Sequence, residues 1–261
     1  MGLLELCVGV LLVVLVLARD HFRTATEFPP RIFQTWKSHT DIPSNMAYWK
    51  STWIHHHPTF TYELWDDAQN RAFVEKEFPW FLPTYDGYDR EIKRADAIRY
   101  MYLYKFGGIY ADMDFECLQS LEPLLRSYQG SADVLLGSME TTWTHRRHSI
   151  PNAILISKPQ QDFWLTLLKA LEQAAEQNPQ GDVEELTGPV ILHKTYWKTW
   201  SGSTRICVLP AHLFYPLSWS SANSKRLHAL HRSKSSPQRL TEEMKATYPT
   251  SYAITYWTHS W

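Results

Sequence analysis

Asp112 and Asp114 stand two residues apart in the stretch Gly107–Glu116, GGIYADMDFE, among Ile, Tyr, Met and Phe. Asp is disfavoured in strands, so a pair of them in a strand-like run asks for a physical reason. A side-chain period of two places Tyr110, Asp112, Asp114 and Glu116 on one face of such a strand, and Ile109, Ala111, Met113 and Phe115 on the other. An antiparallel strand with one wet face is the bland explanation. In a parallel sheet, covered on both faces by helices, adjacent carboxylates would repel and lose solvation unless a cation neutralised them. Projecting from the carboxyl end of a strand, they would make a hard-oxygen site for Mn2+ or Mg2+, completed by ligand phosphates.

Just upstream, RADAIRY sets Asp96 and Arg99 three residues apart, on one side of a helix. A solvated ion pair is one reading. The other follows from the chain path, because the helix runs through Gly107-Gly108 into the aspartate pair and carries a carboxylate and a guanidinium toward one cleft. A carboxylate beside a donor fork suits sugar hydroxyls.

The elements that must hold these groups can be read from periodicity and punctuation. A helix is expected over Arg90–Phe106, with Asp89 as N-cap and Gly107 as its stop. RIFQTW, 31–36, reads as the first core strand, 45–57 as a helix, YELW at 62–65 as a strand, and 66–77 as a helix with a carboxylate-rich start. Strands at 134–137 and 153–157, then a helix over 162–177, continue the alternation. The βαβα order predicts an α/β fold with a mostly parallel central sheet flanked by helices. Residues 220–240, basic and Ser-rich, read as a mobile loop.

The chain has 261 residues, 44% hydrophobic and 20% charged, enough to bury a full core. A formal net charge of -1 gives no general attraction for nucleic acid, so an anionic ligand must be met locally. Three cysteines make neither a disulfide framework nor a metal knuckle; Cys117 with Cys207 is the one pairing left once Cys7 is assigned to the apolar N-terminus. HHHP at 55–58 reads as a solvated helix end rather than a metal site.

Residues 1–18 read as a signal anchor or signal peptide, 19–30 as a linker ending in Pro29-Pro30, and 31–261 as the folded domain. The run Leu3–Ala18 is shorter than the roughly 20 residues that span a bilayer comfortably, and Arg19 and Arg23 follow it. Membrane anchoring is the favoured expectation.

RIFQTWK, the block IKRADAIRYMYLYKFGGIYADMDFECLQSLEPLL, TGP at 187–189 and the terminal YWTHSW together resemble glycosyltransferase family 32. That family includes fungal Golgi mannosyltransferases and inositol-phosphoceramide mannosyltransferases. The resemblance implies a GT-A fold, a nucleotide-sugar donor, with GDP-mannose favoured over a UDP-hexose, and Mn2+ or Mg2+. It implies that Asp114 ligates the metal directly and that Asp112 binds it through water, or binds the ribose. Asp96 and Arg99 would hold the donor sugar and Tyr110 would line the site. Trp36 would stack on the base, Asn152 would sit near the transferred sugar, and His259 and Trp261 would close over the diphosphate. The implied reaction is retaining transfer of a hexose, mannose favoured, to a glycan or glycolipid acceptor by a single-pass type II Golgi membrane protein. A metal-dependent phosphohydrolase and a non-catalytic sugar-nucleotide-binding protein are the competing readings.

Overall fold

The computed structural model describes residues 27–139, 149–217 and 236–258. The apolar N-terminal run, most of the linker, His259 and Trp261 lie outside the described residues. Among the described residues no helix is long and apolar enough to cross a membrane.

The chain opens with β1 (Arg31–Thr35), α1 (Ser44–His56), β2 (Thr61–Trp65), α2 (Asp67–Glu77), α3 (Leu82–Gly87) and α4 (Glu91–Phe106). β3 (Gly108–Ala111), β4 (Phe115–Cys117), α5 (Glu122–Tyr128), β5 (Val134–Gly137) and β6 (Ile154–Ser157) follow. Then come α6 (Asp162–Gln177), α7 (Val183–Leu186), α8 (Pro189–Thr199), β7 (Ile206–Leu209), α9 (Pro237–Thr247) and β8 (Ala253–Thr255). A six-stranded sheet runs β2-β1-β3-β6-β5-β7, and a separate antiparallel pair joins β4 to β8. In the large sheet β6 is antiparallel to both neighbours, β3 and β5, while every other pairing is parallel.

This order creates the place for a ligand. From β1 the chain first steps outward to β2, then returns to lay β3 on the other side of β1. The carboxyl ends of β1 and β3 therefore diverge into helices and loops that leave in opposite directions, and an open α/β sheet binds ligands in such a crevice. Trp36 follows β1 and Asp112 follows β3 at that same edge.

Strand alternation fills both faces. Phe33, Tyr110, Val134, Leu136 and Leu155 pack toward α4, α6 and α8, whereas Ile32, Ile109, Ala111, Leu135 and Ile156 pack toward α1, α5 and the β4–β8 pair. A third cluster, with Trp36, Met46, Trp49, Met113, Met244 and Tyr256, lies where α1, the turn after β3 and α9 meet. α4 is buried on more than one side: Ala95 to Leu103 are all buried, because the helix is packed between the sheet and α6. An amphipathic helix with a wet face would have exposed Asp96 and Arg99; here both are inside.

Several local expectations are corrected. The N-cap of α4 is Arg90, and Asp89 instead pairs with Lys93 at 2.8 Å. α2 is capped as its acidic start suggests, by a capping box in which Asp66 accepts from the Gln69 amide and Gln69 Oε1 accepts from the Asp66 amide. Of the loop expected over 220–240, residues 220–235 lie outside the described residues, and 237–240 belong to α9, which Pro237 begins with the Ser236 side chain accepting from the Arg239 amide. Cys117 and Cys207 are free thiols, the first buried in the core and the second half-buried on β7. The histidine triplet is only partly solvated. His57 is buried, with Nδ1 against Trp53 O at 3.1 Å and Nε2 accepting from the Leu121 amide, so it ties α1 to the start of α5.

Candidate active site

β3 stops at Ala111, and Asp112 to Asp114 form a tight turn that leads into β4. The strand alternation expected to run from Tyr110 to Glu116 thus holds only as far as Asp112. Tyr110 and Asp112 share a side, the Tyr110 hydroxyl donating to Asp112 Oδ1 at 2.6 Å. Beyond them the turn rotates Asp114 toward the C-terminal segment, and Glu116 enters the core as part of β4. This removes the puzzle of carboxylates within a strand, because both aspartates stand at its end, where Asp is well tolerated.

The turn is reached through two glycines with positive φ. Gly107 at +67° closes α4, its amide donating to Leu103 O. Gly108 at +100° starts β3 so close to β1 that a Cβ would lie 2.7 Å from Arg31 O. Gln34 then fastens the turn from the side. The β1–β3 ladder pairs only Ile32 with Ile109 and Phe33 with Tyr110, and beyond it the Gln34 amide donates to the carbonyls of Ala111 at 3.3 Å and Asp112 at 3.0 Å. Tyr62 in turn donates to Gln34 Oε1 at 2.7 Å.

Arg99 is the electrostatic centre. It is 1% exposed, with NH1 3.1 Å from Asp112 Oδ1 and 2.8 Å from Asn152 O, NH2 3.0 Å from Asp96 Oδ1, and its guanidinium 4.6 Å above the Tyr110 ring. The NH2 contact is an ion pair without hydrogen-bond geometry. Burial pushes the guanidinium pKa down, but Asp112, Tyr110 and Asp96 more than reverse this. Asp96 is otherwise enclosed: Asn152 Nδ2 donates to Oδ1 and Thr187 Oγ1 to Oδ2, each at 2.8 Å. Its carboxyl is raised by burial, with Arg99, Thr187 and Asn152 opposing. Tyr100 completes the ring, donating to Thr187 O and receiving from Asn152 Nδ2.

Asp112 carries the clearest signal. Burial lifts its carboxyl to about 7, Arg99 pulls it back and the neighbouring Asp114 charge pushes it higher. Its Oδ1 is taken by Tyr110 and Arg99, while Oδ2 accepts none of the described hydrogen bonds. Asp114 Oδ2 accepts from the Thr258 amide at 2.9 Å and lies 3.3 Å from its hydroxyl, and Thr255 Oγ1 is 3.5 Å from Oδ1. Asp96 and Asp112 flank one guanidinium and the Asp114 charge acts on Asp112, and a divalent cation fits the surplus of negative charge and the hard oxygen donors of the aspartate pair. Two carboxylates are a partial donor set, of the kind Mg2+-like ions complete with phosphate and water. Among the described residues no cluster of three or more His, Cys, Asp or Glu is placed to hold a metal by itself.

Trp36 borders the same crevice in the third cluster with Met113, 4% exposed, its indole N–H donating to Asp41 O at 2.7 Å. Asp96, Arg99, Tyr110, Asp112 and Asn152 are thus brought into one bonded network, with Asp114 beside it and Trp36 next to the turn. Sequence reasoning left Gln34, Thr187, Thr258 and Glu116 without roles. Gln34 and Thr187 belong to the motifs RIFQTWK and TGP, and a buried polar residue inside a core strand was the available signal for Gln34.

Residues 43–131 match the family described as the glycosyltransferase sugar-binding region containing DXD motif, a span that holds Asp96, Arg99, Asp112 and Asp114. Over that span the chain is similar to the DXD-containing glycosyltransferases. It is 33% identical over 189 residues to a mannosyl phosphorylinositol ceramide synthase of Saccharomyces cerevisiae, covering 69% of this chain and 47% of that protein. It is 34% identical over 176 residues to an inositol phosphoceramide mannosyltransferase of Schizosaccharomyces pombe, covering 66% and 45%. The chain spans about half the length of these curated relatives. Among solved structures, the PaToxG glycosyltransferase superposes with a TM-score of 0.53 at 13% identity over 92% of this chain and 96% of that one. That likeness shows the fold, the GT-A arrangement of a Rossmann-like sheet, in which the Asp112–Asp114 turn sits at the topological switch.

Proposed function

We propose that the chain is a metal-dependent retaining glycosyltransferase that moves a hexose, mannose favoured, from a nucleotide sugar to an endomembrane acceptor. The observation that carries this reading is the Asp112–Asp114 turn at the switch point, its first carboxyl held near neutrality by burial until a cation arrives. The names of the curated relatives support mannose as the transferred sugar and a ceramide bearing an inositol phosphate headgroup as acceptor; GDP-mannose is the donor this reading favours. Attachment to a Golgi membrane through the N-terminal apolar run belongs to the same reading.

In this reading Asp112 Oδ2 and Asp114 hold Mn2+ or Mg2+. The bound ion supplies charge neutralisation for the departing diphosphate. Arg99 keeps Asp112 in place and adds positive potential beside the leaving group. Asp96 is prefixed by Thr187, and Asn152 gives both Nδ2 hydrogens to Asp96 and Tyr100, so the two would offer carboxylate and amide oxygens as acceptors to the hexose hydroxyls, with Tyr110 walling that side. Trp36 would offer its ring to the base, and the diphosphate-side roles that the family resemblance implies for His259 and Trp261, outside the described residues, belong to the same reading. No side chain of the network stands out as a dedicated nucleophile, which suits attack by the acceptor hydroxyl on the face the nucleotide leaves, with positioning supplying much of the rate.

The test is transfer from GDP-mannose or UDP-glucose to inositol phosphoceramide, with Mn2+ or with EDTA. Asp114→Asn is expected to lower transfer by about 100-fold or more while leaving the melting temperature close to the parent's. Normal turnover in that variant, or undiminished turnover in EDTA, refutes the metal role. Release of inorganic phosphate rather than sugar transfer would mark a phosphohydrolase.

A further inference from the structure

The segment that follows β8 is bonded to the DXD turn in an unusual way. The Thr258 amide donates to Asp114 Oδ2 at 2.9 Å and its hydroxyl lies 3.3 Å from the same oxygen. Thr258 reaches that position because Trp257 adopts φ +50°, a left-handed backbone that a bulky residue rarely takes. Such an outlier persists only where its surroundings fix it, and it points to a functional constraint. Here the surroundings are plain. The Trp257 indole N–H donates to Leu217 O at 3.0 Å, its ring stacks on Tyr215 at 5.8 Å, and its amide donates to Thr255 Oγ1. One residue earlier, the Tyr256 amide donates to Asp114 O at 3.1 Å and its ring stacks on Trp49 at 4.5 Å.

Beneath this lies Glu116, fully buried, whose carboxylate accepts from the hydroxyls of Tyr256 and of Thr241 on α9. Tyr48 of α1 shares the Thr241 hydroxyl at 2.7 Å. One carboxylate on β4 thus clasps α9 and the C-terminal segment, and the β4–β8 ladder, with Phe115 opposite Thr255, fixes their register.

We propose that Thr258 is a positioning residue for Asp114, presented by the strained Trp257 backbone and anchored through Tyr256 to Glu116. Asp112 is held at Oδ1 by Tyr110 and Arg99, and Asp114 at Oδ2 by the Thr258 amide and hydroxyl, with Thr255 Oγ1 at 3.5 Å from its Oδ1. Donors on one oxygen of a ligating carboxylate orient the other and tune its affinity. The inference rests on the metal-dependent reading of the site.

The experiment measures the Mn2+ dissociation constant from the electron-spin resonance signal of free Mn2+, in the presence of GDP and, in parallel, UDP, so that no turnover is needed. Thr258→Pro removes the amide donor and is expected to weaken binding by about 10-fold or more. Thr258→Val removes only the hydroxyl and is expected to weaken it less, with Thr258→Ser matching the parent. Glu116→Gln, two links away, is expected to weaken Mn2+ binding while Asp114 itself is intact. Melting temperatures accompany each variant, and the Val and Ser pair decides the question should the Pro variant fail to fold. Parent-like Mn2+ affinity in both Val and Pro variants overturns the proposal, as does a Ser variant as weak as Val, which would make methyl packing the cause. A parent protein that binds no Mn2+ with either nucleotide overturns the metal reading itself.

Discussion

Arg99→Met is the perturbation that most directly probes how the site is held. Met approximates the length of the arginine stem but removes the guanidinium from between Asp96 and Asp112, which it contacts at 3.0 and 3.1 Å. Removing one partner of a buried ion pair costs about 3–5 kcal/mol, because the remaining charge is left uncompensated. Two further hydrogen bonds, to Asn152 O and Ala95 O, disappear as well. Against a typical domain stability of about 5–15 kcal/mol that is a large fraction. At about 2–4 °C per kcal/mol for a chain of this size, the melting temperature at pH 8 should fall by about 6–20 °C. The loss must depend on pH. The Asp112 carboxyl has a metal-free pKa of about 7, so at pH 5.5 it is already mostly protonated and misses Arg99 far less. Differential scanning calorimetry of parent and variant in EDTA at pH 5.5 and 8 reads the difference. A deficit of equal size at both pH values, or one under about 1 kcal/mol at pH 8, would show that packing rather than charge pairing holds the site and would refute this account.

The same raised carboxyl predicts a pH-dependent affinity for Mn2+: below pH 7 each ion bound must expel a proton from Asp112, so affinity measured by calorimetry should fall about 10-fold per unit from pH 7 to 5. Because the folded pKa lies above the ordinary 3.8, this carboxyl's contribution to metal-free stability is greatest below pH 4 and declines as pH rises through 7. A flat affinity profile would exclude Asp112 as the proton source. Gly108→Ala should destabilise the fold by about 2–4 kcal/mol in urea titration, since φ +100° and a 2.7 Å approach to Arg31 O leave no room for a methyl group; a parent-like midpoint would disprove the close approach.

Local signals account for most of what the sequence revealed. Gly107-Gly108 punctuates the chain strongly, α4 is long and apolar, and β1 is bounded by Pro29-Pro30, so the elements that aim Asp96, Arg99 and Asp112 were legible. α9 was hidden by its basic, Ser-rich neighbourhood, although Ser236-Pro237 followed by Leu240 and Met244 is a helix start with an apolar face. The proposed Cys117–Cys207 pair failed because a cysteine count carries no geometry: one thiol is buried on β4 of the small β4–β8 pair and the other is on β7 at the far edge of the six-stranded sheet.

Glu116 marks the limit of pattern reading. Extended alternation assigns it to the face of Tyr110 and Asp112, where it would be a third acidic group beside the cation. The turn at Asp112–Asp114 breaks that parity, and the carboxylate points instead into a pocket of hydroxyls from Thr241 and Tyr256, residues more than a hundred positions later. Burial raises its carboxyl, and those hydroxyls and the Lys245 charge pull it back, so its place is fixed by tertiary partners that no local window contains. The consequence for the site is physical. If Glu116 faced the metal, the turn would gather one more carboxylate than Arg99 and a divalent ion could balance. Turned away, it holds the C-terminal segment where Thr258 reaches Asp114, and the residues that look like one acidic motif divide into an aspartate pair at the end of β3 and a buried anchor on β4.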